Sequence, residues 1–146
     1  MLTNSQRSGL SGFAIGAVLV LASPALAEMI DYKAELKGAS EVPATTSKAT
    51  GALTATYNTA TKKLTWKGSY SGLSGDATAA HFHGPAELGK TAGVAVPITS
   101  IKSPMDGSST LTDAQAADLA AGKWYVNVHT AANKDGEIRG QLVKGK

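Results

Sequence analysis

Beyond about residue 28 the chain is a succession of short runs in which apolar and polar side chains alternate. Ile30 to Leu36 is the first. In Gly51 to Tyr57, Leu53, Ala55 and Tyr57 fall on one face and Thr54 and Thr56 on the other. Lys63 to Tyr70 repeats the pattern, with Leu64, Trp66 and Tyr70 opposed to Thr65, Lys67 and Ser69. A period of two is that of a half-buried strand. The polar turn Asn58-Thr59-Ala60-Thr61 joins the second and third runs as a hairpin. Ala77 to His83 and Trp124 to Thr130 are further strands, and Gly84-Pro85 ends the former. Shorter strands are predicted at Val94-Ala95-Val96, where Pro97 implies a sheet edge, and from Ser108 to Leu111 after a turn at Ser103–Gly107. A hairpin turn at Asn133–Gly136 leads into the last strand, Glu137 to Val143, and Lys144 to Lys146 reads as a frayed end.

One stretch is helical. Thr112 with Gln115 three residues later forms a capping box, Asp113 suits the positive end of the helix dipole, and Gly122 follows as a C-terminal stop. At two to three turns, roughly, this helix is too short to stand alone and must pack on the sheets. The pattern specifies an all-β chain, a single antiparallel β-sandwich (immunoglobulin-like or superoxide-dismutase-like) of about seven to nine strands with one short helix.

The first residues break this pattern. Arg7 is the only charge among residues 1–27, an apolar run from Gly12 to Leu21 follows it, and Ala25-Leu26-Ala27 is a small-x-small cleavage sequence before Glu28. These are the parts of a secretory signal peptide, with an apolar run too short to span a bilayer. The expectation is cleavage after Ala27, one domain over residues 28–146, no membrane span after cleavage, and a periplasmic or secreted location. Without Arg7, thirteen Lys and Arg face eleven acidic residues, a net +2 with no basic cluster, which gives no footprint for nucleic acid. Cysteine is absent, so disulfides and thiolate metal sites are excluded.

The candidate chemistry lies in two strands. His81 and His83 are two apart, so their Cβ atoms stand roughly 6–7 Å apart on one face, looking outward while Phe82 turns inward. His129 falls on the non-core face of its own strand, with Tyr125 and Asn127, while Val126 and Val128 are buried. If the two strands are neighbours, three imidazoles meet in a site suited to copper or zinc. The alternative is that the histidines only hydrogen-bond to Asn127, Glu137 or a backbone carbonyl. Asn127, Glu137 and Arg139 are a second constellation, placed as supports of the imidazoles or as purely structural groups. For Glu137 a weak surface pair with Arg139 or Lys123 is also open. Trp66, Tyr70 and Trp124 are assigned to the core. No serine has a nucleophile-elbow context and no glycine loop is built for phosphate, so no catalytic residue is assigned and an enzyme is open only through a bound metal.

Four segments in order resemble the CHRD domain, first named in the extracellular protein chordin: Ala34-Glu35-Leu36 with Gly38 and Glu41-Val42-Pro43; Ala79-Ala80-His81-Phe82-His83-Gly84-Pro85; Tyr125-Val126-Asn127-Val128-His129-Thr130; and Gly136-Glu137-Ile138-Arg139-Gly140-Gln141-Leu142. The resemblance covers nearly all of residues 28–146 and implies an all-β extracellular module of the kind that also occurs alone in exported bacterial proteins. Two functions follow as expectations. One is a binding module that recognises a protein or an envelope polymer through its loops; the other is a periplasmic or secreted copper- or zinc-binding protein built on His81, His83 and His129.

Overall fold

The computed structural model describes residues 26–146; the leader expected over residues 1–27 lies outside them, apart from Leu26 and Ala27. The alternating runs are strands: β1 (Met29–Lys37), β2 (Thr50–Asn58), β3 (Lys63–Ser71), β4 (Ala77–His83), β5 (Val94–Ile98), β6 (Met105–Thr110), β7 (Tyr125–Thr130), β8 (Ile138–Gln141) and β9 (Val143–Lys144). All pairings are antiparallel and run in the order β5-β4-β7-β8-β1-β2-β3-β6, with β9 added on β1. The expected sandwich is thus one continuous sheet folded over its own core. Trp66 on β3 and Phe82 on β4 have β7, β8, β1 and β2 between them along the sheet, yet their rings meet edge to face at 5.0 Å. An isolated bridge between Ser100 and Asp106 brings the β5 and β6 ends towards closure.

Hairpin register follows the hydrophobic pattern. Leu53, Ala55 and Tyr57 of β2 and Leu64 and Trp66 of β3 are buried, while Thr54, Thr65 and Lys67 are exposed. The helix α1 (Asp113–Ala120) carries the complete capping box: Gln115 N donates to Thr112 Oγ1 at 3.1 Å and Thr112 N donates to Gln115 Oε1 at 3.0 Å. Leu119 anchors it in the core, and Gln115 Nε2 donates to the Ala95 carbonyl of β5.

Two expectations at the strand ends are corrected. β6 starts at Met105, inside the expected turn, because Met105 is fully buried and Gly107 pairs with Trp66. A Cβ at Gly107 would enter the indole ring, so this glycine serves close approach rather than a turn. The expected last strand breaks after Gln141. Leu142 turns fully into the core, and its N–H reaches the Trp124 carbonyl. The chain then pairs with β1 as β9, and Gly145 N donates to the Asp31 carbonyl, so the end expected to fray is hydrogen-bonded.

Candidate metal centre

Strands β4 and β7 are neighbours, with His81 opposite Asn127, Ala79 opposite His129, and His83 opposite Tyr125. Alternation turns Ala80, Phe82, Val126 and Val128 into the core, all essentially without exposure, and brings the three imidazoles to the other face. His81, His83 and His129 each offer a ring nitrogen, and these atoms lie within 4.8 Å of one another.

That face is not the open surface expected of it. His83 is only 8% exposed, while His81 and His129 are half-buried. The cover is the segment between β4 and β5, which folds back across the strands. Its Ala86, Lys90 and Ala92 carbonyls accept from Gln141, Arg139 and Tyr125 respectively. A loop gives no periodic signal, so its path across the histidines was not readable in the sequence.

The hydrogen-bond partners of the rings are unusual in being acceptors on both sides. His83 Nδ1 lies 3.0 Å from the Ala92 carbonyl and its Nε2 3.0 Å from Asn127 Oδ1. His129 repeats this, with Nδ1 2.8 Å from the Lys134 carbonyl and Nε2 2.9 Å from the same Oδ1. His81 Nδ1 stands 3.1 Å from His129 Nε2. Asn127 points Oδ1 at the rings, with Nδ2 donating to the Asp135 carbonyl at 3.4 Å and lying beside the Glu41 carboxyl. A neutral imidazole has a single N–H. If the backbone carbonyls hold that hydrogen on Nδ1, the Nε2 lone pairs of His83 and His129 converge on Oδ1.

The surroundings of His81 and His83 oppose protonation. Burial lowers the His81 pKa below the ordinary imidazole value, with His129 and His83 adding to the effect. Burial also lowers that of His83, outweighing the hydrogen bonds to Ala92 and Asn127. A metal ion satisfies converging nitrogen and oxygen lone pairs without a proton, and backbone carbonyls that fix Nδ1–H are the usual outer support of a liganding histidine. Around a tetrahedral ion with bonds of about 2.0 Å, ligand atoms are about 3.3 Å apart. The ring nitrogens lie within 4.8 Å of one another, and Asn127 Oδ1 lies 2.9 Å from His129 Nε2.

The surrounding groups fix this geometry. The His83 ring stacks on Tyr125 at 4.7 Å and within 4° of parallel, and the Arg139 guanidinium lies over Tyr125 at 3.4 Å from the ring centre. Arg139 is buried and donates to the Lys90 carbonyl. Asn127 and Arg139 therefore reach the imidazoles, Arg139 through Tyr125. Glu137 does not. The chain bends at Glu137, before β8, and its side chain leaves the alternation to join Ser47, Ser74, Thr130 and Asn133, all donating to its carboxylate. Burial raises its pKa, but these hydrogen bonds prevail and bring it down to about 2. Of the roles open to Glu137 the contacts are structural: it pins three loops, and neither Arg139 nor Lys123 is its partner.

Glu41 was missed. It is 6% exposed, its Oε1 has no hydrogen-bond partner, and burial pushes its pKa up to about 7 against the opposing pull of Arg139 and Asn127. Its only trace in the sequence is its place in Glu41-Val42-Pro43, far from both histidine strands.

Comparison with protein families gives a match to the CHRD domain model over residues 32–142. No curated protein and no solved structure matches the chain. Among the described residues no helix is long and apolar enough to cross a membrane.

Proposed function

The chain belongs to the CHRD domain family, and on that footing we propose that it is an exported binding module whose ligand is a copper or zinc ion held by His81, His83 and His129. The observation that carries the reading is the convergence of a ring nitrogen from each of His81, His83 and His129 to within 4.8 Å of one another, beside Asn127 Oδ1, with backbone carbonyls at Nδ1 of His83 and His129. A bound ion would supply charge to satisfy the nitrogen lone pairs. Where both metals are present, copper is favoured on intrinsic affinity. Binding needs neutral rings, and the lowered values of His81 and His83 keep them neutral to below the ordinary imidazole pKa of 6.5. Affinity falls on acidification, as protons compete with the ion for the ring nitrogens.

Mass action provides the test. An ion that binds only the folded chain stabilises it by about 2.7 kcal/mol at a hundredfold excess over Kd. Copper or zinc should raise the melting temperature of the wild type by several degrees and leave His81→Ala/His83→Ala unmoved. Equal shifts in both proteins would place the ion elsewhere and end the reading.

A second reading is recognition of a protein or envelope polymer by the covering segment and the start of β5, where Leu88 is 81% and Val94 53% exposed. Capture from envelope extract by a folded variant lacking all three histidines, lost on Leu88→Ser, would favour it.

A further inference from the structure

We propose that Asn127 is the fourth ligand, through Oδ1, and that the metal centre is thereby closed. The inference rests on the metal reading above and adds the class of site: one that holds an ion rather than one that activates water on it. Three histidines alone would leave an open position, as in catalytic zinc sites, whereas a full set of four protein ligands marks a site that only holds its ion.

Position and orientation both support the role. Oδ1 lies 3.0 Å from His83 Nε2 and 2.9 Å from His129 Nε2, so it occupies a corner of the same polyhedron as the two nitrogens. The amide is held in this sense from behind. Nδ2 donates to the Asp135 carbonyl, and the Glu41 carboxyl lies beside it. An acceptor at Nδ2 draws electron density through the amide towards Oδ1 and makes the oxygen a better donor to a cation. Asn127 is 2% exposed, so no bulk water competes for its side chain. The backbone leaves little freedom either: Asn127 pairs with His81 on one side and Arg139 on the other.

Cobalt(II) is a suitable probe because its visible spectrum reports coordination number. The wild type should bind Co²⁺ with the strong absorption of a four-coordinate ion, and added azide should leave the spectrum unchanged. Asn127→Ala should bind on the order of tenfold more weakly or worse, judged against what loss of an outer support costs, and its spectrum should shift on addition of azide. Asn127→Asp separates a ligand from a mere support. It keeps an oxygen towards the rings and loses the Nδ2 donor, so it should retain tight binding and indifference to azide. If Asn127 acts only through Nδ2, Asn127→Asp behaves like Asn127→Ala, and the proposal fails. An Asn127→Ala spectrum and affinity equal to wild type, or a wild-type spectrum that moves with azide, also overturns it while leaving the three-histidine site standing. A wild type that binds neither Co²⁺ nor Zn²⁺ overturns the metal reading itself, and this inference with it.

Discussion

Single side chains decide how the loops around the histidines are held, and Glu137 is the strongest case. Its carboxylate has no exposure and accepts from Ser47 Oγ at 2.7 Å, Ser74 N at 2.9 Å, Ser74 Oγ at 2.6 Å and Thr130 Oγ1 at 2.7 Å. A folded-state pKa of about 2, against an ordinary 4.5, means that the native state favours the ionised form. The stabilisation is fully present above pH 4.5 and fades as pH falls towards 2. Its size is about 3 kcal/mol by linkage. Glu137→Gln should therefore lose about that much stability in urea unfolding at pH 7, and the difference from wild type should shrink by pH 2. A difference that stays constant across this range would contradict the account. Alternation assigned Glu137 to the histidine face. The bend before β8 turned it away, and no local sequence feature marks that bend beyond Gly136, whose φ is +126°.

At the scale of elements, the site is a property of the β4–β7 pair and of what covers it. Each strand was legible: Ala80 and Phe82, and Val126 and Val128, are apolar at period two and are buried as that pattern requires. Their adjacency was not, because some forty residues separate them and pairing partners leave no mark in a single sequence. The same holds for the segment over His83 and for the backbone carbonyls of Ala92 and Lys134, which any residue type could supply. Gly136 is where the β7–β8 turn meets the site. A Cβ there would run into the Glu41 carboxyl and the Asn127 amide, and the positive φ disfavours a side chain as well. Gly136→Ala should cost roughly 1–3 kcal/mol and weaken Zn²⁺ binding by displacing Asn127. The helix makes a contrast. Thr112→Ala removes one half of the capping box and should cost about 1 kcal/mol, yet leave metal affinity unchanged, since the side-chain bonds of Thr112 and Gln115 go to each other and to Ala95 of β5 and not to the histidines. Equal losses of affinity in the two variants would show that binding tracks global stability instead.

Over the whole molecule, the sheet folds so that one face makes the core and part of the other makes the site. Phe82 links the two. It packs against Trp66 at 5.0 Å and Trp124 at 5.9 Å, while the residues on either side of it carry the imidazoles. The all-β class and the core positions of the strands were open to reading because they rest on periodicity, and α1 because its capping box is written in Thr112 and Gln115; closure of the sheet on itself was not, since it depends on contacts such as Trp66–Phe82 between distant strands. Phe82→Leu should therefore destabilise the fold and loosen the site together, in contrast to Thr112→Ala. The central claim is that His81, His83 and His129 bind one metal ion, and calorimetric titration of the purified chain with Cu²⁺ and with Zn²⁺ at pH 7 tests it most directly. The account predicts a saturating isotherm with one ion per chain, abolished in His81→Ala/His83→Ala. A flat trace with both ions, or an isotherm unchanged in the double variant, would contradict it.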